Sequence, residues 1–356
     1  FVFQQEGGDL ICVEPLSGEI VWRRSGVPVG CELFGDEQFL FAVPFNSSEA
    51  LVFRPLDGMQ LGTREVGRTD ARVLNRGRHC LHAATSNDNK MELKLRDAWT
   101  GTDIWSRRFD ANAKLQPLEQ QEIGVFERDG KFSILRVADG EAILEEQLEP
   151  EPTLIDAYLM ASRRQYLLIT NRTPSQAVPG VSFSPAPGGH NNPMISGRVY
   201  AFDRASGKPQ WSIPASIEQH SISFPQPSEL PVITFVRHVN RQRGRQGGGR
   251  PGMTHSVLIL DRRTGKAVYE KDDFPNNTGF CNTTSNREAN TVTIVLQTQV
   301  ITMKFTDLPM PPEPPFQADL ARSLGGEGQG FFNIFRGSVE NPQVIPQVVP
   351  VPGLPR

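Results

Sequence analysis

Apolar residues in this chain fall into short runs broken by turn-forming residues. Phe39-Leu-Phe-Ala-Val43, Tyr166-Leu-Leu-Ile-Thr170 and Val232-Ile-Thr-Phe-Val236 are examples. Such runs, rich in β-branched and aromatic side chains, predict buried β-strands. Thr291 to Gln297 and Val300 to Phe305 predict two more strands, and Phe1 to Gln4 predicts a strand with no predecessor. No run of 18 apolar residues occurs, so no transmembrane helix is expected.

The runs alternate with a repeated segment. It reads Cys12-Val-Glu-Pro-Leu-Ser-Gly-Glu-Ile-Val-Trp22 in its first copy and Ala201-Phe-Asp-Arg-Ala-Ser-Gly-Lys-Pro-Gln-Trp211 in its fifth. The shared glycines are Gly18, Gly58, Gly101, Gly140, Gly207 and Gly265, each preceded by Ser, Thr or Asp. A tight hairpin explains the pattern, because a residue at positive φ restarts the ladder and a small polar side chain bonds the turn backbone. Four residues before the glycine stands an acid in four copies: Glu14, Asp97, Asp203 and Asp261. A carboxylate there accepts turn N–H groups. Four residues after it stands an aromatic in the same copies: Trp22, Trp105, Trp211 and Tyr269. Strand alternation turns that ring to one side of the sheet, where it can wedge against a neighbouring sheet. The other two copies carry Arg54 and Arg136 for the acid, and Gly62 and Leu144 for the ring. The joint loss suggests that acid and ring belong to one structural unit.

Successive glycines are 40, 43, 39, 67 and 58 residues apart. A period near 40 matches one four-stranded propeller blade. The two long intervals hold insertions, 174–197 (rich in Pro, Gly, Ser and Asn) and 239–252 (rich in Arg and Gly). The expected fold is therefore an all-β propeller over residues 1–307. It has seven four-stranded antiparallel blades, or eight if a preceding segment supplies another. Both terminal blades look incomplete, and pairing the two ends would close the ring and remove exposed edges. Beyond it, 308–356 reads as a Pro-rich tail, with Phe331-Phe332-Asn333-Ile334-Phe335 as an apolar cluster within it.

The 32 Gly and 29 Pro residues suit a turn-dense architecture, and the net charge of −3 gives no global reason to expect nucleic acid. Cys12, Cys31, Cys80 and Cys281 are too widely spaced for a zinc ribbon and read as thiols buried in strands. His79 and His82 would point to opposite faces of a strand and so do not chelate together. Arg237, Arg241, Arg243, Arg245 and Arg250 lie within 14 residues. They read first as a solvated insertion and second as a loop for an anionic partner. The chain opens Phe1-Val2-Phe3-Gln4 and reads as a piece of something longer, so an anchor or signal peptide could be missing rather than absent.

The pattern acid-x-x-Thr/Ser-Gly-Lys-x-x-Trp, clearest from Asp203 to Trp211, resembles the repeat of pyrroloquinoline-quinone (PQQ)-type propellers. That bacterial, quinoprotein-like family includes quinoprotein alcohol dehydrogenases and the propeller lipoprotein of outer-membrane protein assembly. The resemblance implies a propeller fold in the periplasm or cell envelope. In the dehydrogenases it would imply PQQ between a Trp and a vicinal Cys–Cys disulfide, with Ca²⁺ beside it. This chain has no adjacent cysteines, and three of its tryptophans occupy the repeat position while Trp99 sits in a turn. No catalytic residue or cofactor is therefore carried over. The reading is a non-enzymatic scaffold for protein partners, with a quinoprotein-type oxidoreductase that has a non-standard site as the alternative.

Overall fold

The computed structural model describes residues 1–86, 88–118, 121–174, 193–222, 226–227, 229–241, 252–274, 280–296, 299–306 and 343–350. They form two compact units, Phe1–Pro152 and Thr153–Arg356. In the first unit the opening sheet joins β1 (Val2–Gln4), β2 (Leu10–Val13) and β3 (Ile20–Arg24). The second joins β4 (Glu32–Gly35), β5 (Leu40–Val43), β6 (Glu49–Phe53) and β7 (Gln60–Glu65). The third joins β8 (Arg72–Arg76), β9 (His79–Thr85), β10 (Lys90–Asp97) and β11 (Asp103–Asp110). The fourth joins β12 (Lys114–Leu118), β13 (Glu122–Phe126), β14 (Lys131–Arg136) and β15 (Ala142–Gln147).

The second unit has a seven-stranded sheet. Its strands are β16 (Leu154–Ala161), β17 (Gln165–Arg172), β18 (Met194–Asp203), β19 (Ala215–Ile222), β20 (Val232–Arg241), β21 (Gly252–Asp261) and β22 (Ala267–Phe274). A four-stranded sheet follows, made of β23 (Phe280–Asn286), β24 (Thr291–Leu296), β25 (Gln299–Thr306) and β26 (Gln343–Pro350). Strands pair with their sequence neighbours and always antiparallel. Up-and-down sheets of this kind are propeller blades, the first four each ending in the repeated hairpin and its outer strand, and the fold is an all-β propeller type.

The cores lie between consecutive sheets. Leu40 and Ala42 of β5 pack with Leu10, Cys12 and Trp22 of the first sheet. Phe41 and Val43, pointing the other way, pack with Cys80 and Ala98 of the third. In the second unit Leu258 and Leu260 face one cluster while Val257 and Ile259 face another. Alternate side chains go to opposite faces. A central strand covered on both faces is therefore apolar at every position, and its runs are continuous rather than alternating.

β19 serves two repeats. Its length pairs with β18, from Met194↔Ser221 to Val199↔Ala215, while Ser221 and Ile222 pair with Val236 and Phe235 of β20. The Gln226 side chain extends that second contact, donating to the Thr234 carbonyl at 2.7 Å and accepting its N–H at 2.9 Å.

Three boundaries differ from the sequence reading. Residues 194–197, counted with the first insertion, belong to β18, and 175–192 lie outside the described residues. The second insertion is a lengthened hairpin: Val239, Asn240 and Arg241 pair with Thr254, Met253 and Gly252, and 242–251 lie outside the described residues. Within the stretch read as tail, 343–350 form β26, which completes the last sheet by pairing with β25 from Thr306↔Gln343 to Gln299↔Pro350. Pro346 and Pro350 hid this strand. Proline is tolerated where a strand has a ladder on one side only, as β26 does at the end of its sheet order. The last sheet is thus four-stranded, whereas the first has three strands among the described residues.

Ending the chain at residue 342 should unpair β25. Hydrogen exchange across 299–306 should then accelerate by at least tenfold, and unchanged exchange would refute the pairing.

Candidate functional site

The repeated hairpin is built identically in all six copies. The glycines have φ between 67° and 73°, the left-handed region where a side chain is strained. Each glycine N–H donates to the carbonyl four residues back, as in Gly18 to Glu14 and Gly207 to Asp203, both at 2.8 Å. The residue at that position returns the bond, its N–H reaching the carbonyl after the glycine.

The acids serve this turn. A Glu14 carboxylate oxygen accepts the N–H groups of Leu16 at 2.7 Å and Ser17 at 2.6 Å, and the Ser17 bond leads in holding its pKa below the ordinary carboxylate range. Asp97 accepts from Trp99 and Thr100, Asp203 from the Ser206 hydroxyl and N–H, and Asp261 from Arg263. In the two copies without an acid the charges trade places. Arg54 grips Asp57 through two bonds, and Asp57 accepts the Met59 N–H. Arg136 likewise binds Asp139 and Glu141, and Asp139 accepts the Glu141 N–H. The Arg54 bond, then the Met59 bond, lower Asp57 from its ordinary 3.8 to about 2.

The rings do not serve their own hairpins. Trp22 covers Gly58 of the next sheet and donates from Nε1 to the Pro55 carbonyl at 2.7 Å. Trp105 covers Gly140 and donates to Val137 at 2.9 Å. Trp211 covers Gly265 and donates to Arg262 at 3.1 Å. Each acceptor stands three residues before the glycine that the ring covers. Acid and ring therefore do not form one unit, as their joint loss had suggested. The ring belongs with the following hairpin. Where Gly62 replaces a ring, Arg64 docks instead: it donates to the Trp99 carbonyl at 3.1 Å and lies 3.9 Å from the centroid of the Trp99 ring, which also stacks on Phe39 at 4.2 Å. Tyr269 is half-buried against the cluster that holds Val292 and Ile294.

This accounts for all four tryptophans. Among the described residues no three His, Cys, Asp or Glu side chains gather as metal ligands. His79 lies 3.7 Å from Asp97, while the His82 ring packs over Gly67. Cys12 and Cys80 are buried in strands and Cys31 is half-buried outside one, all as free thiols, with burial pushing Cys80 up to about 12. Arg241 ends β20, opposite Gly252, while Arg243, Arg245 and Arg250 lie outside the described residues.

The hairpins differ in what they show to solvent. Two residues before the glycine stand Leu16, 95% exposed, and Leu56, 79% exposed. The fifth and sixth hairpins place Ala205 and Arg263 there, the latter bound to Asp261. The Trp22 dock sets β3 against the Leu56 hairpin, and Arg24 reinforces it with bonds to the Asp57 and Gly58 carbonyls. Ile20 and Val21 of the edge strand β3 are each 56% exposed, on opposite faces of the strand, and Met59 beside the second tip is exposed as well. Scattered exposed apolar residues are ordinary, but large apolar tips on two hairpins docked to each other are not. No sequence periodicity marks this rim, since its residues come from turn tips and an edge strand.

No protein-family model and no curated protein matches the chain. Among solved structures it is similar to BamB from Moraxella catarrhalis, at 11% identity and a TM-score of 0.36, over 85% of this chain and 81% of that one. It is also similar to the Kuenenia stuttgartiensis hydrazine synthase, at 11% identity and 0.34, over 79% of each. A third is the computationally designed Ika8 protein, at 11% and 0.29, over 82% of this chain and 89% of that one. Likenesses this distant carry no argument, and the fold assignment rests on the sheets and hairpins above.

Gly140→Ala places a Cβ 2.6 Å from the Trp105 ring at φ +72°, whereas Gly18→Ala meets nothing within 4 Å at φ +73°. Urea unfolding should show losses of roughly 2–5 kcal/mol for the first and about 1 kcal/mol for the second. Equal losses would remove the ring dock from the account. A depressed carboxylate pKa favours the fold above the unfolded value and loses that contribution as pH falls through the folded one. Carbon-13 titration of Asp57 should accordingly give a midpoint near 2, and Arg54→Ala should return it toward 3.8.

Proposed function

We propose that this chain is a non-enzymatic propeller scaffold, seven-bladed, that binds a protein partner through the rim formed by Leu16, Ile20, Val21, Leu56 and Met59. The exposure of these five apolar side chains along two docked hairpins supports the reading. The rim is rigid because Trp22 and Arg24 fix one hairpin against the next, so little ordering cost opposes binding. Large aliphatic side chains on a fixed frame suit an apolar groove or helix face on the partner. Work outside the cytoplasm, in the periplasm or cell envelope, follows from the resemblance of the repeat. No observation favours the oxidoreductase reading.

A photo-crosslinking residue at position 16 or 56 should yield one and the same discrete protein adduct in cells. The same residue at Ala205, the matching position of the fifth hairpin, should not. Leu16→Glu with Leu56→Glu should abolish the adduct and leave the unfolding temperature within about 2 °C, since exposed substitutions change stability little. Adducts of equal yield at 205, or none at 16 and 56, would sink the rim. Stoichiometric uptake of PQQ with Ca²⁺ and dye reduction would replace the scaffold reading altogether.

A further inference from the structure

The first unit consists of two ring-docked pairs. Trp22 ties the first sheet to the second, and Trp105 ties the third to the fourth. Between the pairs no indole covers the hairpin glycine, Gly101, which faces the Arg96 guanidinium instead. This junction rests on Arg64 against Trp99 and on a polar group around His82.

His82 stands in β9 of the third sheet. Its ring covers Gly67, just beyond β7 of the second sheet, where a Cβ would stand 2.6 Å from Cε1. The Gly67 carbonyl accepts from Arg72 Nη1 at 2.9 Å. The ladder partners of His82 on its two sides are Arg72 of β8 and Lys94 of β10. Residues directly opposed in an antiparallel ladder point to one face, so the imidazole stands in a rung between two cations.

Both cations have acids. The Arg72 side chain, 2% exposed, is bound to Glu32 of β4, which also accepts from Asn75 at 2.6 Å. Lys94 lies 3.1 Å from Asp103 and 3.4 Å from Glu92. The other charges around the ring are paired too. Arg96 lies 3.9 Å from Asp103, and between β7 and β8 Arg68 binds Asp70 at 2.9 Å. No acid is left for His82. Among the described residues it makes no ion pair, and its Nε2 is buried without a hydrogen-bond partner. Burial first, then Arg72 and Arg96, hold its pKa below the ordinary 6.5, with Asp103 opposing them and Lys94 adding to them.

We propose that His82 is a proton-sensitive joint: uncharged, it seals the second sheet against the third, and once protonated it becomes a third cation in the Arg72–His82–Lys94 rung, leaves Gly67 and loosens the first unit between its two ring-docked pairs. The Leu16 and Leu56 tips lie within one pair and survive the opening. An opened junction returns His82 to its ordinary 6.5. Closure is therefore fully favoured above that value. It weakens as pH falls from there to the lower folded-state value, the opening equilibrium rising by up to about tenfold per pH unit, and the group adds nothing further below it.

The test follows hydrogen exchange of the full chain at about pH 7.5 and about pH 5, corrected for the intrinsic rate. Opening across 66–76 should rise about fivefold or more in acid, while β2 and β13, each inside a ring-docked pair, change less than about twofold. His82→Gln removes the titration and should flatten the response. His79→Gln, at the other histidine of β9, should leave it in place. In the unaltered chain the His82 ring should titrate by NMR below 6.5, and Lys94→Gln should raise that midpoint. The proposal is overturned by a flat or chain-wide response in the unaltered chain, by a response that survives His82→Gln or vanishes with His79→Gln, or by a His82 midpoint at or above 6.5.

Discussion

Much else in the chain depends on one contact, an indole ring laid across the hairpin glycine of the following repeat. The glycine is required twice over. Its backbone sits in the left-handed region, and the face it leaves bare is the face that the ring covers. The indole N–H then finds the carbonyl three residues earlier, so the dock has a direction as well as an area. Each such contact fixes one repeat on the next and closes the end of the apolar layer between them. The docks run from the first to the second, the third to the fourth and the fifth to the sixth hairpin. Between the second and third, the Arg64–Trp99–Phe39 stack takes the place of the ring.

Much of this was legible in the sequence, and the limit was physical. Local bonds leave local patterns. Acid, small polar residue and glycine act within one hairpin, so their spacing revealed the turn. The indole dock joins residues more than thirty apart, such as Trp22 and Gly58, and its acceptor is a backbone carbonyl that no side chain marks. The ring position was therefore visible while its partner was not. The Arg/Asp exchange in the second and fourth hairpins was in principle readable, because Arg54 with Asp57 and Arg136 with Asp139 invert the order in Asp97 with Thr100. Only the loss of the acid was seen, not the acid that reappears three residues on.

Composition misled in one place. The proline-rich stretch after Leu308 reads as tail, and residues 343–350 nonetheless complete a sheet. Strand propensity describes a residue flanked by ladders on both sides, and β26 has one. The rim was missed for a different reason. Leu16 and Leu56 sit in hairpins where a polar tip is the usual choice, and an apolar residue in a turn breaks no pattern that a strand search measures.

The strand shared between the fifth and sixth repeats bears on how the chain comes apart. Repeats that meet only through side chains can open one at a time, each at the expense of its own interfaces. β19 denies that freedom to two of them, because the backbone ladder that finishes one sheet begins the next. Peeling β20 away strips partners from Ser221 and Ile222, and losing β18 strands the same segment from the other side. The two repeats are therefore a single cooperative block, roughly double the size of any other in the chain. Under force or heat they would be expected to yield together, as one step, while the sheets of the first unit yield singly or in their ring-docked pairs.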